Sequence, residues 1–250
     1  ASCLVGSEMC IRDRFSCMSS NIDQNEVSKF SNLAEKWWDP KGEFKPLHVI
    51  NPLRAKYVAS KINLNGKLVL DVGCGGGLLS EALDDFGATV MGIDVTEKNI
   101  NVAKQHAEQN NKSIEYLHLD AESLIQSKEK FFDVICCLEV VEHVPDPSKL
   151  IEDCSNLLKP GGLMFLSTIN RNLRSFITAI IGAEYIFNIL PKGTHEYEKF
   201  IHPSELATYM SKAQVRLIEN KGMFYNPITH NAHFNNDLGV NYISYGKKES

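Results

Sequence analysis

The stretch KLVLDVGCGGGLLSEALDDFGATVMGID, residues 67–94, decides the fold. Residues 67–72 are a short apolar run that breaks into glycines at 73, 75, 76 and 77. Residues 78–86 carry helical spacing and 89–93 form a second β-like run, so the segment reads as a β-α-β unit. A glycine-rich turn directly after a strand lets the backbone approach a ligand closely, and the helix behind it offers free N–H groups. A nucleotide-like ligand is implied. The dinucleotide fingerprint G-x-G-x-x-G needs glycine where this chain has Leu78, and Asp71 is extra to that pattern, so NAD loses ground. Asp94 ends the second strand, where a carboxylate can accept both hydroxyls of a ribose; its alternative is to cap the helix that starts near Glu97.

Outward from this unit the alternation continues, with a helix over 98–110, strands near 114–119 and 132–137, a helix over 147–158 and a strand over 163–168. Five strands alternating with helices predict a parallel sheet. Residues 215–225 and 241–246 are β-like with no helix between them, so an antiparallel pair should finish a doubly wound, mostly parallel, seven-stranded α/β sheet. Upstream, Val27, Phe30, Leu33, Ala34, Trp37 and Trp38 recur at helical spacing until Asp39-Pro40 and Gly42, which predicts one amphipathic helix over 26–38. Residues 18–60 are expected to be an N-terminal helical cap on a catalytic-type domain over 61–250. Residues 1–17 show neither a secretory nor a transit pattern. Their SCLVGSEMCIRDR reads like translated adapter sequence and Met18 like a natural start, so 1–17 is expected to be a non-native or disordered leader.

Composition narrows the class. The 250 residues are 43% hydrophobic and 23% charged, which excludes collagen-like, disordered and disulfide-scaffold chains. A net charge of -5 gives no field for gripping phosphate backbones, so nucleic acid is not an expected partner. Seven cysteines without a C-x-x-C pair suit a reducing compartment and no zinc knuckle.

The pattern Asp71-x-Gly73-x-Gly75 resembles the first motif of class I S-adenosylmethionine-dependent methyltransferases. A longer block, Phe30-x-x-Leu33-Ala34-x-x-Trp37-Trp38-Asp39-x-x-Gly42 then Leu47-His48-x-x-Asn51-Pro52-Leu53-Arg54, resembles the ubiquinone biosynthesis O-methyltransferase family. So do Leu138-Glu139-Val140-Val141-Glu142-His143-Val144, Lys159-Pro160-Gly161-Gly162, Pro191-Lys192-Gly193-Thr194-His195 and Tyr225-Asn226-Pro227. The resemblance, closer to the bacterial than to the mitochondrial branch, implies methylation of catechol-type hydroxyls on polyprenylated phenols and quinols at two steps, including 3-demethylubiquinol to ubiquinol. It implies a cytoplasmic protein peripheral on the inner membrane, or the matrix side of the mitochondrial inner membrane, and membership of a biosynthetic complex. For the cofactor it implies that Arg54, Gly73, Asp94 and Leu138 line the site: Arg54 forks onto the carboxylate, Gly73 admits backbone contact, Asp94 takes the ribose and Leu138 packs at the fourth strand's end. Asp120 matches the position near the adenine, with a helix N-cap as its alternative.

Glu139, Glu142 and His143 stand at i, i+3 and i+4, so a helix beginning at Leu138 would project all three from one face. The related proteins imply Mg²⁺ there; the alternative is two acids favoured by a helix N-terminus beside a base that holds no metal. A free phenol has a pKa of ~10, so the acceptor needs His143 as base or a metal to lower it, with His195 the next candidate. Residues 170–200 are an insertion. Its FITAIIGAEYIFNIL, 176–190, carries one charge, Glu184, between Arg171 and Arg174 on one side and Lys192 on the other. A span needs ~20 apolar residues, so this segment is expected to lie on a membrane surface, the alternative being a buried helix over the site. The rival functions are methylation of another small phenol, a tRNA base or a protein, and non-catalytic carriage of quinone precursors.

Overall fold

The computed structural model describes residues 21–172 and 197–250. The leader expected over 1–17, the surface segment over 176–190 and His195 lie outside the described residues.

Eight strands form one sheet: β1 (Leu68–Val72), β2 (Thr89–Asp94), β3 (Glu115–His118), β4 (Phe132–Leu138), β5 (Leu158–Ile169), β6 (Val215–Tyr225), β7 (Ala232–Asn235) and β8 (Asn241–Lys248). Their order is β3-β2-β1-β4-β5-β8-β6-β7. The first five are parallel, while β8 runs antiparallel between β5 and β6, as the helix-free end of the chain predicts. The expected count of seven is corrected by β7, a four-residue edge strand antiparallel to β6 whose AHFN is too short and polar to read as β. The strand order grows outward in opposite directions from β1 and from β4, which lie side by side and parallel, and at such a switch point the carboxyl ends of the strands open a crevice.

Side chains alternate across each strand, and both faces are buried, as parallel strands require. Leu70, Val72, Ile93, Ile135 and Cys137 face Leu124, Ile151 and Leu206. These come from α5 (Ala121–Lys128), α6 (Pro147–Leu157) and α7 (Pro203–Lys212). Val69, Val90, Val134 and Cys136 face Val58, Leu79 and Leu83 of α2 (Lys45–Lys61) and α3 (Leu78–Asp84). α4 (Glu97–Gln109) packs Ile100 and Ala103 against Cys74 and Tyr116. Cys74, Cys136, Cys137 and Cys154 are buried free thiols, so they serve as core. No described helix is long and apolar enough to cross a membrane.

The cap is two helices, not one. α1 (Gln24–Leu33) passes into a 3-10 turn over Ala34–Lys36, and Trp37 and Trp38 leave the helix to pin the cap down. Trp37 stacks on Phe44 with ring centres 4.0 Å apart and donates its Nε1 to Asn99, while the Trp38 Nε1 donates to the Gly76 carbonyl at 2.8 Å. α2 starts with Pro46 in its first turn, where no N–H is needed, and carries Pro52 inside.

Candidate active site

A cavity of about 840 Å³ opens at the switch point, within the range of small-molecule sites. Arg54, Gly73, Asp94, Asp120, Leu138, Glu139, Glu142 and His143 all line it, so the residues singled out from the sequence meet in one place, His195 excepted, which lies outside the described residues. The glycine turn forms one wall. Gly73 has φ +69°, a side chain there would meet Val140, and its N–H donates to the Ile93 carbonyl at 2.8 Å. Gly75, with φ +53°, donates its N–H to Asp94 Oδ2 at 2.9 Å. Asp94 Oδ1 accepts from the Thr96 N–H at 2.7 Å. Burial pushes the Asp94 carboxyl above its ordinary range against these hydrogen bonds. Thr96, not Asp94, is the N-cap residue of α4, so Asp94 ties the glycine turn to the helix start and does not cap the helix. Asp120 does cap α5, accepting from the Ser123 N–H at 2.7 Å, and lines the cavity as well. Behind the wall Asp71 accepts from Ser80 Oγ at 2.6 Å, and burial pushes its carboxyl up to about 7.

Across the cavity α2 delivers Arg54, 2% exposed. Its Nη2 donates to Glu139 Oε1 at 2.5 Å and its Nη1 to Asn51 Oδ1 at 3.2 Å, while its Nε has no partner. Glu139 also accepts from Ser167 Oγ at 2.7 Å. Glu142 is buried, its Oε2 unpartnered, and burial followed by the charge of Glu139 pushes its carboxyl well above the usual range.

The helix expected from Leu138 is not there. β4 continues through Leu138, Glu139 turns the chain with φ +59°, and only Val141–His143 form a single 3-10 turn. The three side chains therefore diverge. Glu139 is taken by Arg54 and Ser167, and His143 turns its Nδ1 to Glu26, 2.9 Å away. Among the described residues no group of three His, Cys, Asp or Glu side chains is gathered to hold a metal ion, so this donor set does not fit Mg²⁺ as arranged.

Two features of the site escaped the sequence reading. Glu26, in the first turn of α1, lines the cavity and is 8% exposed. Burial works against its charge, but His143, Lys29 and Lys199 outweigh it and hold the carboxyl below the usual range. Phe224 and Ile228, in and after β6, also line the cavity, 42% and 75% exposed. The motif Tyr225-Asn226-Pro227 marked that turn without showing that an apolar rim flanks it.

A family profile described as a methyltransferase domain matches residues 70–166. The chain is 52% identical over 224 residues to the ubiquinone biosynthesis O-methyltransferase of Coxiella burnetii (strain Dugway 5J108-111), covering 90% of this chain and 95% of that protein. It is 52% identical over 231 residues to the protein of the same name from Actinobacillus pleuropneumoniae serotype 5b (strain L20), covering 90% and 98%. Among solved structures, magnesium protoporphyrin IX methyltransferase from Synechocystis PCC 6803 with bound S-adenosylmethionine aligns with a TM-score of 0.64 at 18% identity, covering 92% of this chain and 99% of that one. A methyltransferase from Thermotoga maritima aligns with a TM-score of 0.64 at 20% identity, covering 90% and 99%. Both structures share the fold.

Proposed function

The chain belongs to the ubiquinone biosynthesis O-methyltransferase family, and from that premise we propose how its residues divide the work of methylating a ring hydroxyl. S-adenosylmethionine, when bound, supplies a methyl group on a cationic sulfur that needs an oxygen nucleophile placed in line. Asp94 accepts the ribose hydroxyls, Gly73 and Gly75 admit the backbone contacts, and Arg54 offers its guanidinium to the cofactor carboxylate. Leu138 packs at the strand end, and Asp120 stands where the adenine edge would lie. His143 takes the phenolic proton. The observation that carries this reading is that His143 shares one cavity with Asp94 and Arg54, with only one ring nitrogen occupied by protein. No step is routed through Mg²⁺: of its three implied ligands, Glu139 is held by Arg54 and His143 by Glu26, while Glu142 lies buried apart from both.

A general base typically contributes about 10²-fold or more, so His143→Ala is expected to lose at least that in turnover of a demethylated quinol with labelled cofactor. Calorimetry should find its S-adenosylmethionine affinity within about threefold of wild type, because the imidazole serves the acceptor. Full turnover by this variant would remove His143 from the chemistry. A wild-type protein that binds cofactor yet transfers no methyl group would favour the carrier reading.

The acceptor proposed is a polyprenylated phenol or quinol whose tail leaves across Phe224 and Ile228, with residues 170–200 meeting the membrane peripherally and a biosynthetic complex as the setting. The membrane part rests on sequence: one charge in 176–190 with basic residues at both ends. Replacing Ile180, Ile181 and Ile186 by Asn should release the protein from anionic liposomes and depress turnover of a long-chain acceptor far more than a short-chain one. Equal liposome binding by the folded triple variant and wild type would require withdrawing the membrane contact.

A further inference from the structure

We propose that Glu26 is a positioning residue for His143, its carboxylate fixing the imidazole in the tautomer whose Nε2 receives the acceptor's proton. This rests on the reading of His143 as the base. Glu26 Oε2 lies 2.9 Å from His143 Nδ1. An ionised carboxylate can only accept, so Nδ1 carries the hydrogen and a neutral ring keeps its lone pair on Nε2. Among the described residues no other side chain hydrogen-bonds this ring.

The same helix holds the ring in a second way. Phe30, one turn beyond Glu26 on α1, meets the imidazole edge-on with ring centres 5.2 Å apart at 90°. Below it the His143 N–H donates to the Val140 carbonyl at 2.9 Å. Just past the ring, α1 is moored at its start: Asn21 Nδ2 donates to the Asp146 carbonyl at 2.8 Å and the Asp146 N–H donates to Asn21 Oδ1 at 2.7 Å. Asp23 caps the helix through the Asn25 N–H, and Lys199 stands 3.3 Å from Asp23 and 3.7 Å from Glu26 Oε1. Glu26 is thus held at the ring by a helix fixed at both its cap and its buried face.

In the step itself the acceptor O–H proton passes to Nε2 while its oxygen bonds the methyl carbon. The carbon–sulfur bond breaks and its electron pair stays on sulfur, leaving a neutral thioether. The imidazolium formed faces the negative charge of Glu26 and returns its proton to solvent after product leaves. Without that charge the ring is free to hold its hydrogen on Nε2, the tautomer that cannot act.

The test uses the full chain, a demethylated quinol with a short side chain and labelled S-adenosylmethionine. Glu26→Gln, whose amide can donate to Nδ1 and favour the inactive tautomer, should lower kcat about 10²-fold, the scale of general-base catalysis. KM for the quinol and cofactor affinity should stay within about threefold, and Glu26→Asp should recover about tenfold of the loss. On a His143→Ala background Glu26→Gln should cost nothing further, because the two act as a unit. Full kcat in Glu26→Gln beside an inactive His143→Ala would overturn the positioning role and leave the base in place. A loss seen equally on both backgrounds, or confined to KM or cofactor affinity, would also overturn it, by making Glu26 structural. Full kcat in His143→Ala would instead overturn the base reading itself.

Discussion

Arg54→Ala is expected to cost about 3–5 kcal/mol of stability, the penalty for leaving a buried charge without its partner. The guanidinium touches Glu139 at 2.5 Å, and the buried Glu142 lies in the same field. The loss should depend on pH in a definite direction. The Glu142 carboxyl is raised by burial and by Glu139, so its contribution favours the fold at pH below its ordinary 4.5 and fades as pH climbs through the raised value. Without the Arg54 charge, which works against that rise, the Glu142 carboxyl is pushed higher still, and the penalty therefore grows from pH 5 to pH 8 in chemical denaturation. Cofactor affinity should fall beyond detection in the same variant. Arg54→Lys is expected to recover part of the stability and little of the binding, since a point charge cannot reach Asn51 and Glu139 together and still fork onto a carboxylate. Denaturation midpoints for Arg54→Ala that match wild type at both pH values would show that the pair is not part of the fold's support.

Gly75→Val is expected to abolish cofactor binding and turnover while the sheet stays folded. Gly75 has φ +53°, which a β-branched residue adopts only with strain. A Cβ there would stand 2.4 Å from Trp37 Cζ2. Trp37 has nowhere to go, because it is stacked on Phe44 at 4.0 Å and its Nε1 donates to Asn99 at 2.9 Å. The turn must move instead, and with it the N–H that Gly75 donates to Asp94. Circular dichroism should remain native-like while calorimetry shows no heat of cofactor binding. Gly75→Val combined with Trp37→Ala should regain measurable affinity; wild-type affinity in the single variant would mean that the turn is looser than its contacts imply.

The β-α-β unit and Asp94 were legible because their signals are local. A glycine at positive φ, an apolar run and an acid at a strand end each report on neighbours within a few residues. The turn after β4 was not legible. Spacing of i, i+3 and i+4 at Glu139, Glu142 and His143 is shared by helices and by shorter turns, and the backbone reversal at Glu139, φ +59°, decided for the turn. α2 was not marked out within the expected cap; it holds Pro52 inside, where burial of Ile50, Ala55, Tyr57 and Val58 overrides the lost backbone bond. Glu26 was hidden for another reason. An acid in the first turn of a helix is already explained by the helix dipole, and its partner His143 lies 117 residues away.

The mooring of Asn21 to Asp146 joins points 125 residues apart. Ribosomes release α1 before α4, against which it packs, and its contacts with His143 and Asp146 must wait until β4 and the start of α6 have been made. Contacts of such long range are slow to form, because the intervening chain must be ordered before they give anything back. The opening helix of this enzyme is therefore among the last elements to find its place. Through that interval of synthesis Phe30 lacks the His143 ring it will meet, and the newborn chain carries its cofactor crevice before Glu26 reaches His143.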